Sequence, residues 1–229
     1  AILAIRLPAD VPDKDLYAVV KHERLGRLLF FDPTSSLTPL GYLPSTLQAN
    51  YGLVATDKGG ELMRLPLLPP DTNQLIRTAK LSLSPTGTLA GEVEEIRSGQ
   101  PAERRRGDLL EAQASDRAKV LESFLSDSLG GFRLTKASVG NLELYDRALT
   151  LHYSFTAENY AKTAGNLLLI RPRVLGQKGS DLLEIKERKY PVEYSEATRH
   201  SDTFEIALPA GYEADELPPP VNVDCGFAS

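Results

Sequence analysis

The sequence has no tryptophan, one cysteine and one methionine. A lone cysteine, Cys225, rules out an intrachain disulfide and leaves the redox compartment open. The histidines are His22, His152 and His200, and none stands in a spaced metal motif such as H-x-x-x-H. No Walker loop, G-x-G-x-x-G or G-x-S-x-G elbow is present, so no motif calls for a nucleotide, a metal or another cofactor. Sugar stacking loses its largest platform without tryptophan, and the nine tyrosines are scattered. Apolar runs stay well short of the ~20 residues that a membrane-spanning helix needs. Positive charge is also short. The net charge of −5 argues against a nucleic-acid partner, which selects for basic surfaces. The one dense basic spot, Glu103-Arg104-Arg105-Arg106, reads as a solvated helix face.

What is present is strand patterning punctuated by turn residues. Ile2–Leu7 is an apolar strand closed by Pro8, and Ala9–Asp15 is a polar loop. Leu16–Val20 and Leu28–Phe31 form a hairpin turned at Glu23-Arg24-Leu25-Gly26. Leu53–Ala55 and Glu61–Leu65 form another around Lys58-Gly59-Gly60. Three prolines within Pro66–Pro70 then favour a stiff, extended linker over residues 66–72. Beyond it, Leu75–Leu83 and Leu89–Ile96 flank Ser84-Pro85-Thr86-Gly87, with proline and glycine at the positions a tight turn favours. Ala118, Leu121, Phe124, Leu125 and Leu129 recur at helical spacing after a Ser115 N-cap, and Gly130-Gly131 ends the run. A preceding helix is expected over Ala102–Gln113. Alternation returns at Leu149–Phe155 and Phe204–Leu208, and Leu167–Ile170 reads as a buried strand. Neither end has the polar character of a natural terminus, so the chain reads as a fragment of a longer polypeptide.

Nucleophilic chemistry has one formal route, Cys225 with a histidine. An activated thiolate needs a helix N-terminus or a neighbouring base. Cys225 follows a triple proline instead and reads as an inert thiol.

Arg27-Leu28-Leu29-Phe30-Phe31-Asp32-Pro33-Thr34, followed by Thr38-Pro39-Leu40-Gly41-Tyr42-Leu43-Pro44, resembles the end of the catalytic domain of bacterial multi-domain transglutaminase-like proteins. Leu65–Pro70 with Asn73 resembles the linker of that group. Leu89-Ala90-Gly91 and Leu208-Pro209-Ala210-Gly211-Tyr212 resemble strands of its C-terminal β-rich domain. The resemblance implies a Cys-His-Asp triad in the papain-like manner, with Asp32 as its third member. It places the base histidine just before the strand at Ile2 and the nucleophilic cysteine well upstream. His22 does not match the base position. The resemblance also implies a periplasmic or extracellular setting.

The expected fold is mostly β (α+β). Residues 1–65 form the terminal β portion of a transglutaminase-like core, 66–72 a linker, and 73–229 a β-sandwich-like accessory domain with a helical insertion. The expected function is non-catalytic in isolation. The fragment supplies Asp32 and a structural or interaction module to the rest of the parent polypeptide, which acts on protein or peptide substrates. The alternative is an independent peptide- or glycan-binding β-domain, recognisable by an exposed groove, an aromatic patch or open strand edges.

Overall fold

The computed structural model describes residues 1–176, 189, 194 and 196–226, so the expected 73–229 unit is seen in part. The chain is mostly β, with two α-helices among the described residues, as its patterning implies. Strands β1 (Leu3–Leu7), β2 (Val19–His22) and β3 (Gly26–Phe31) form an antiparallel sheet in the order β1-β3-β2. Leu28, Leu29 and Phe30 of the central strand are all buried. A strand whose two faces are both covered gives a continuous apolar run, not an alternating one. Turns over residues 32–50 wrap this sheet, with the Tyr17 and Ala18 amides both donating to the Gly41 carbonyl. A separate ribbon pairs β4 (Tyr51–Thr56) with β5 (Gly59–Arg64).

The connector at residues 66–72 is anchored. Leu68 is 1 % exposed and belongs to the same apolar cluster as Phe30 and Leu43. Its amide donates to Oε1 of buried Gln48, whose Nε2 donates to the Leu43 carbonyl. One side-chain amide thus satisfies two backbone groups that would otherwise be stranded.

The second sheet has five strands in the order β12-β6-β7-β9-β8: β6 (Gln74–Leu83), β7 (Leu89–Arg97), β8 (Phe132–Gly140), β9 (Leu149–Ala157) and β12 (Arg199–Ala207). β12 runs parallel to β6, and the other neighbours are antiparallel. β10 (Lys162–Ala164) and β11 (Leu167–Leu169) form a small separate ribbon. Leu167–Ile170 is therefore not the buried strand its composition suggests. Leu167 and Leu169 are largely exposed, because a two-stranded ribbon offers them no second layer.

Helices α1 (Gln100–Glu111) and α2 (Arg117–Ser126) cover one face of the five-stranded sheet. Ala102 and Leu109 of α1, with Leu121 and Leu125 of α2, recur at helical spacing and pack with Leu149, Leu151 and Phe155 of β9. Among the described residues, the helical insertion, and not a second facing sheet, supplies this unit's other layer. Ser115 lies in a 3-10 turn, Ala114–Asp116, that leads into α2, and the residue at the N-cap is Asp116. The apolar core falls into two clusters, one built from residues 18–68 and one from residues 79–175.

Because Leu68 fills the first cluster from within a proline-rich connector, Leu68→Ala is expected to cost about 2–5 kcal/mol, as other buried leucine truncations do. Urea unfolding measures this. An unchanged midpoint would mean that the connector is not anchored.

Candidate functional site

Asp32 leaves the end of β3. The antiparallel register sets Leu3 opposite Phe31, so Asp32 lies beside the residues that begin β1. Proline at 33 cannot continue the ladder, and the chain turns there, with the Ser35 amide donating to the Asp32 carbonyl at 3.4 Å. The part-exposed Asp32 carboxylate caps this turn. Oδ1 accepts from the Thr34 hydroxyl at 2.7 Å and from the Thr34 amide at 2.9 Å. Those two bonds, the hydroxyl's first, hold the carboxyl below the ordinary aspartate value, and the nearby Ala1 nitrogen adds in the same direction. Asp32 forms no ion pair among the described residues, and both Thr34 bonds go to one of its two oxygens.

The other candidates lie apart from it. His22 sits opposite Gly26, at the far end of β3 from Asp32, about 20 Å away along an extended strand. Its Nδ1 accepts from the Arg24 and Leu25 amides, and its Nε2 lies 3.0 Å from Glu61 Oε1. Nδ1 is thereby committed to the β2–β3 turn, while Nε2 faces Glu61 of β5. His152 and His200 are exposed, on β9 and β12 respectively. Cys225 is exposed in the extended stretch after β12 and bonds to no histidine among the described residues. No group of acidic, histidine or cysteine side chains suited to holding a metal is found there either. No helix among them is long and apolar enough to cross a membrane.

The face of the large sheet opposite the helices is left uncovered by the described residues and forms an open trough of about 690 Å3, lined by Lys80, Glu92, Glu94, Lys136, Ser138 and His152 among others. Lys80 opposes Glu92 across β6 and β7, so the charges are paired across strands. The one aromatic residue lining it, Tyr153, directs its hydroxyl to Glu95 in the core.

Two arrangements escape the sequence patterning. Under the helices, Glu95 is fully buried and receives bonds from three side chains. Arg77 Nε (2.8 Å) and the Tyr153 hydroxyl (2.8 Å) reach Oε1, while Arg97 Nη2 (2.6 Å) reaches Oε2. Arg77 Nη1 continues to Asp202 on β12 at 2.8 Å. Burial alone would push the Glu95 carboxyl up, but Arg97 and Arg77 outweigh it and hold it below the ordinary glutamate value. The Tyr153 hydroxyl, desolvated and beside Glu95, is pushed up.

The second arrangement corrects the reading of residues 103–106 as one solvated face. Successive residues of an α-helix point about 100° apart, so the four side chains diverge. Arg104 is exposed and meets Glu196 at 2.7 Å. Arg105 lies over the Phe124 ring at 4.3 Å. Arg106 is buried, and its Nη2 donates to the carbonyls of Asn141, Leu144 and Arg147. Glu103 faces the loop after β3, where Ser35 Oγ donates to its Oε1 at 3.4 Å.

Residues 166–229 match a family model described as a Domain of Unknown Function with solved-structure structure (DUF3858). No curated protein and no solved structure matches the chain.

Glu95→Ala would leave two buried arginines and a tyrosine hydroxyl without their acceptor, at an expected cost of about 3–5 kcal/mol in chemical unfolding. In the folded state the Glu95 carboxyl is held below the ordinary glutamate value. Its contribution is therefore present above that value and lost as pH falls through the folded one. Glu95→Gln should flatten the acid limb of stability against pH, and an undiminished limb would show that other carboxylates cause it.

Proposed function

We propose that this chain is a non-catalytic portion of a bacterial transglutaminase-like protein, to which it contributes the triad aspartate, Asp32, and an accessory domain within residues 73–229. The observation that carries this reading is the β1–β3 register. In the resembling proteins the base histidine immediately precedes one strand and the aspartate closes its neighbour. Here the start of β1 and the end of β3 are adjacent, with a carboxylate at the β3 end. A carboxylate so placed accepts a hydrogen bond from one imidazole nitrogen, fixes the tautomer and stabilises the imidazolium that forms when the histidine takes the thiol proton. The cysteine then attacks an amide carbonyl. Hydrolysis or acyl transfer follows according to which nucleophile reaches the acyl-enzyme.

The accessory domain serves in this reading to hold the catalytic core against a protein or peptide substrate or the cell envelope, in a periplasmic or extracellular setting. The support is the order of the motifs from Arg27 to Tyr212. The matched segment at residues 166–229 is of unknown function and assigns no chemistry of its own.

The test is Asp32→Asn in the full-length parent. The fold should be retained while kcat falls, by roughly 10⁴-fold if the serine-protease precedent holds. Undiminished turnover of a peptide amide or amine-incorporation substrate would overturn the assignment. The 229-residue chain alone should turn over neither substrate, and Cys225→Ala should change nothing. Turnover abolished by Cys225→Ala would make Cys225 the nucleophile and overturn the reading.

A further inference from the structure

We infer that α1 of the second unit positions the loop that carries Asp32, with Glu103 as the positioning residue. The inference rests on the reading of Asp32 as a triad member only for its catalytic consequence, since the contact itself is local geometry. Residues 32–38 leave β3 and come to lie against one side of α1. Ser35 Oγ shares a hydrogen bond with Thr38 Oγ1 at 2.7 Å and reaches Glu103 Oε1 at 3.4 Å. Thr38 is itself buried, at 7 % exposure, and its hydroxyl also faces Glu103. One turn further along α1, Leu37 lies within 3.7 Å of where a side chain at Gly107 would begin. Glu103 and Gly107 are four residues apart and so share a helix face. The loop thus meets α1 through one polar and one apolar contact.

Glu103 is fixed from behind. Gln100 Nε2 donates to its Oε2 at 2.7 Å, and the Gln100 amide donates to Asn73 Oδ1 at 3.1 Å. Asn73 Oδ1 and the Thr72 carbonyl come so close to Gly99 that a Cβ there would stand 2.2 and 2.3 Å from them, and Gly99 has a φ of 57°. Only glycine allows this entry to α1. The support runs from Asn73 through Gln100 and Glu103 to Ser35, and from Ser35 back to the turn at Asp32. The remaining void at this seam is about 10 Å3, lined by Thr38, Tyr42, Asn73 and Glu103 among others, hardly room for one water. Burial pushes the Glu103 carboxyl up despite the hydroxyls of Thr38 and Ser35 and the charge of Arg104, and Glu196 adds to the rise. A protonated and an ionised Glu103 can both bond Ser35, the first as donor or acceptor and the second as acceptor. A glutamine, which also donates and accepts, should therefore substitute where alanine does not.

Amide hydrogen exchange on this chain tests the contact. Glu103→Ala should speed exchange at Thr34 and Ser35 at least tenfold and leave Leu28 to Phe30 unchanged, and Glu103→Gln should restore protection. Ser35→Ala removes the loop's side of the contact without touching α1. It should loosen Thr34 in the same way, and it decides the matter if Glu103→Ala also exposes β3. Unchanged Thr34 protection in the Ser35→Ala protein, or in a folded Glu103→Ala protein, overturns the inference even where Asp32→Asn abolishes turnover. In the full-length parent, Glu103→Ala should lower kcat several-fold at unchanged KM, with most of the activity recovered in Glu103→Gln. If Asp32→Asn leaves turnover intact, the catalytic consequence falls with the triad reading, whatever the exchange rates show.

Discussion

The carboxylate of Glu95 is the constraint on which the larger sheet is built. It gathers Arg77 from β6, Arg97 from its own strand and Tyr153 from β9, and through Arg77 it reaches Asp202 on β12. Four of the five strands are pinned to one register by one buried acid. A slip of a single residue on any of them would turn its member of the set to the uncovered face. Charges taken out of water give little net stability, because desolvation consumes most of the attraction. What they add is a large penalty on alternatives. Any pairing that buries these groups without one another leaves charge stranded in an apolar layer.

The same economy appears at Arg106 and Gln48. Each is a buried polar side chain spent on backbone carbonyls or amides of irregular segments, residues 141–147 in one case and the connector at Leu68 in the other. Loops rarely pack well by themselves because their backbone groups need partners. Here long side chains from regular or well-packed positions provide them.

Much of this fold was legible because apolar alternation is a strong signal. Leu75, Ala79, Leu81 and Leu83 on β6, and Leu149 to Phe155 on β9, point inward as their spacing requires. Where reading failed, the signal was absent or ambiguous. β8 escaped notice because Lys136, Ala137 and Ser138 on an edge strand are exposed and carry no alternation. Leu167 to Leu169 looked buried because composition cannot tell a core strand from an exposed ribbon. Arg77, Glu95 and Arg97 stood in the sequence at core-phase positions, flanked by inward leucines and valine, and that misfit was the clue to a buried network. Asp32 was visible as a catalytic candidate only by resemblance. Glu103 could not have been connected to it, since 68 residues separate Glu103 from Ser35.

β12 is parallel to β6, its one neighbour among the described residues, and this bears on the order in which the chain assembles. A hairpin cannot deliver a parallel strand. Asp202 must find Arg77 across 125 residues, whereas Arg77 and Glu95 are 18 apart in the β6–β7 hairpin. Loop closure grows as the logarithm of length, so the longer search costs about 1.7 kcal/mol more, before any contact offsets it. Loop-closure entropy therefore favours pairing of β6 with β7 before β12 is recruited. On this ground β12, which lies within the segment matched to the domain of unknown function, would dock onto a sheet whose ionic centre already awaits its aspartate.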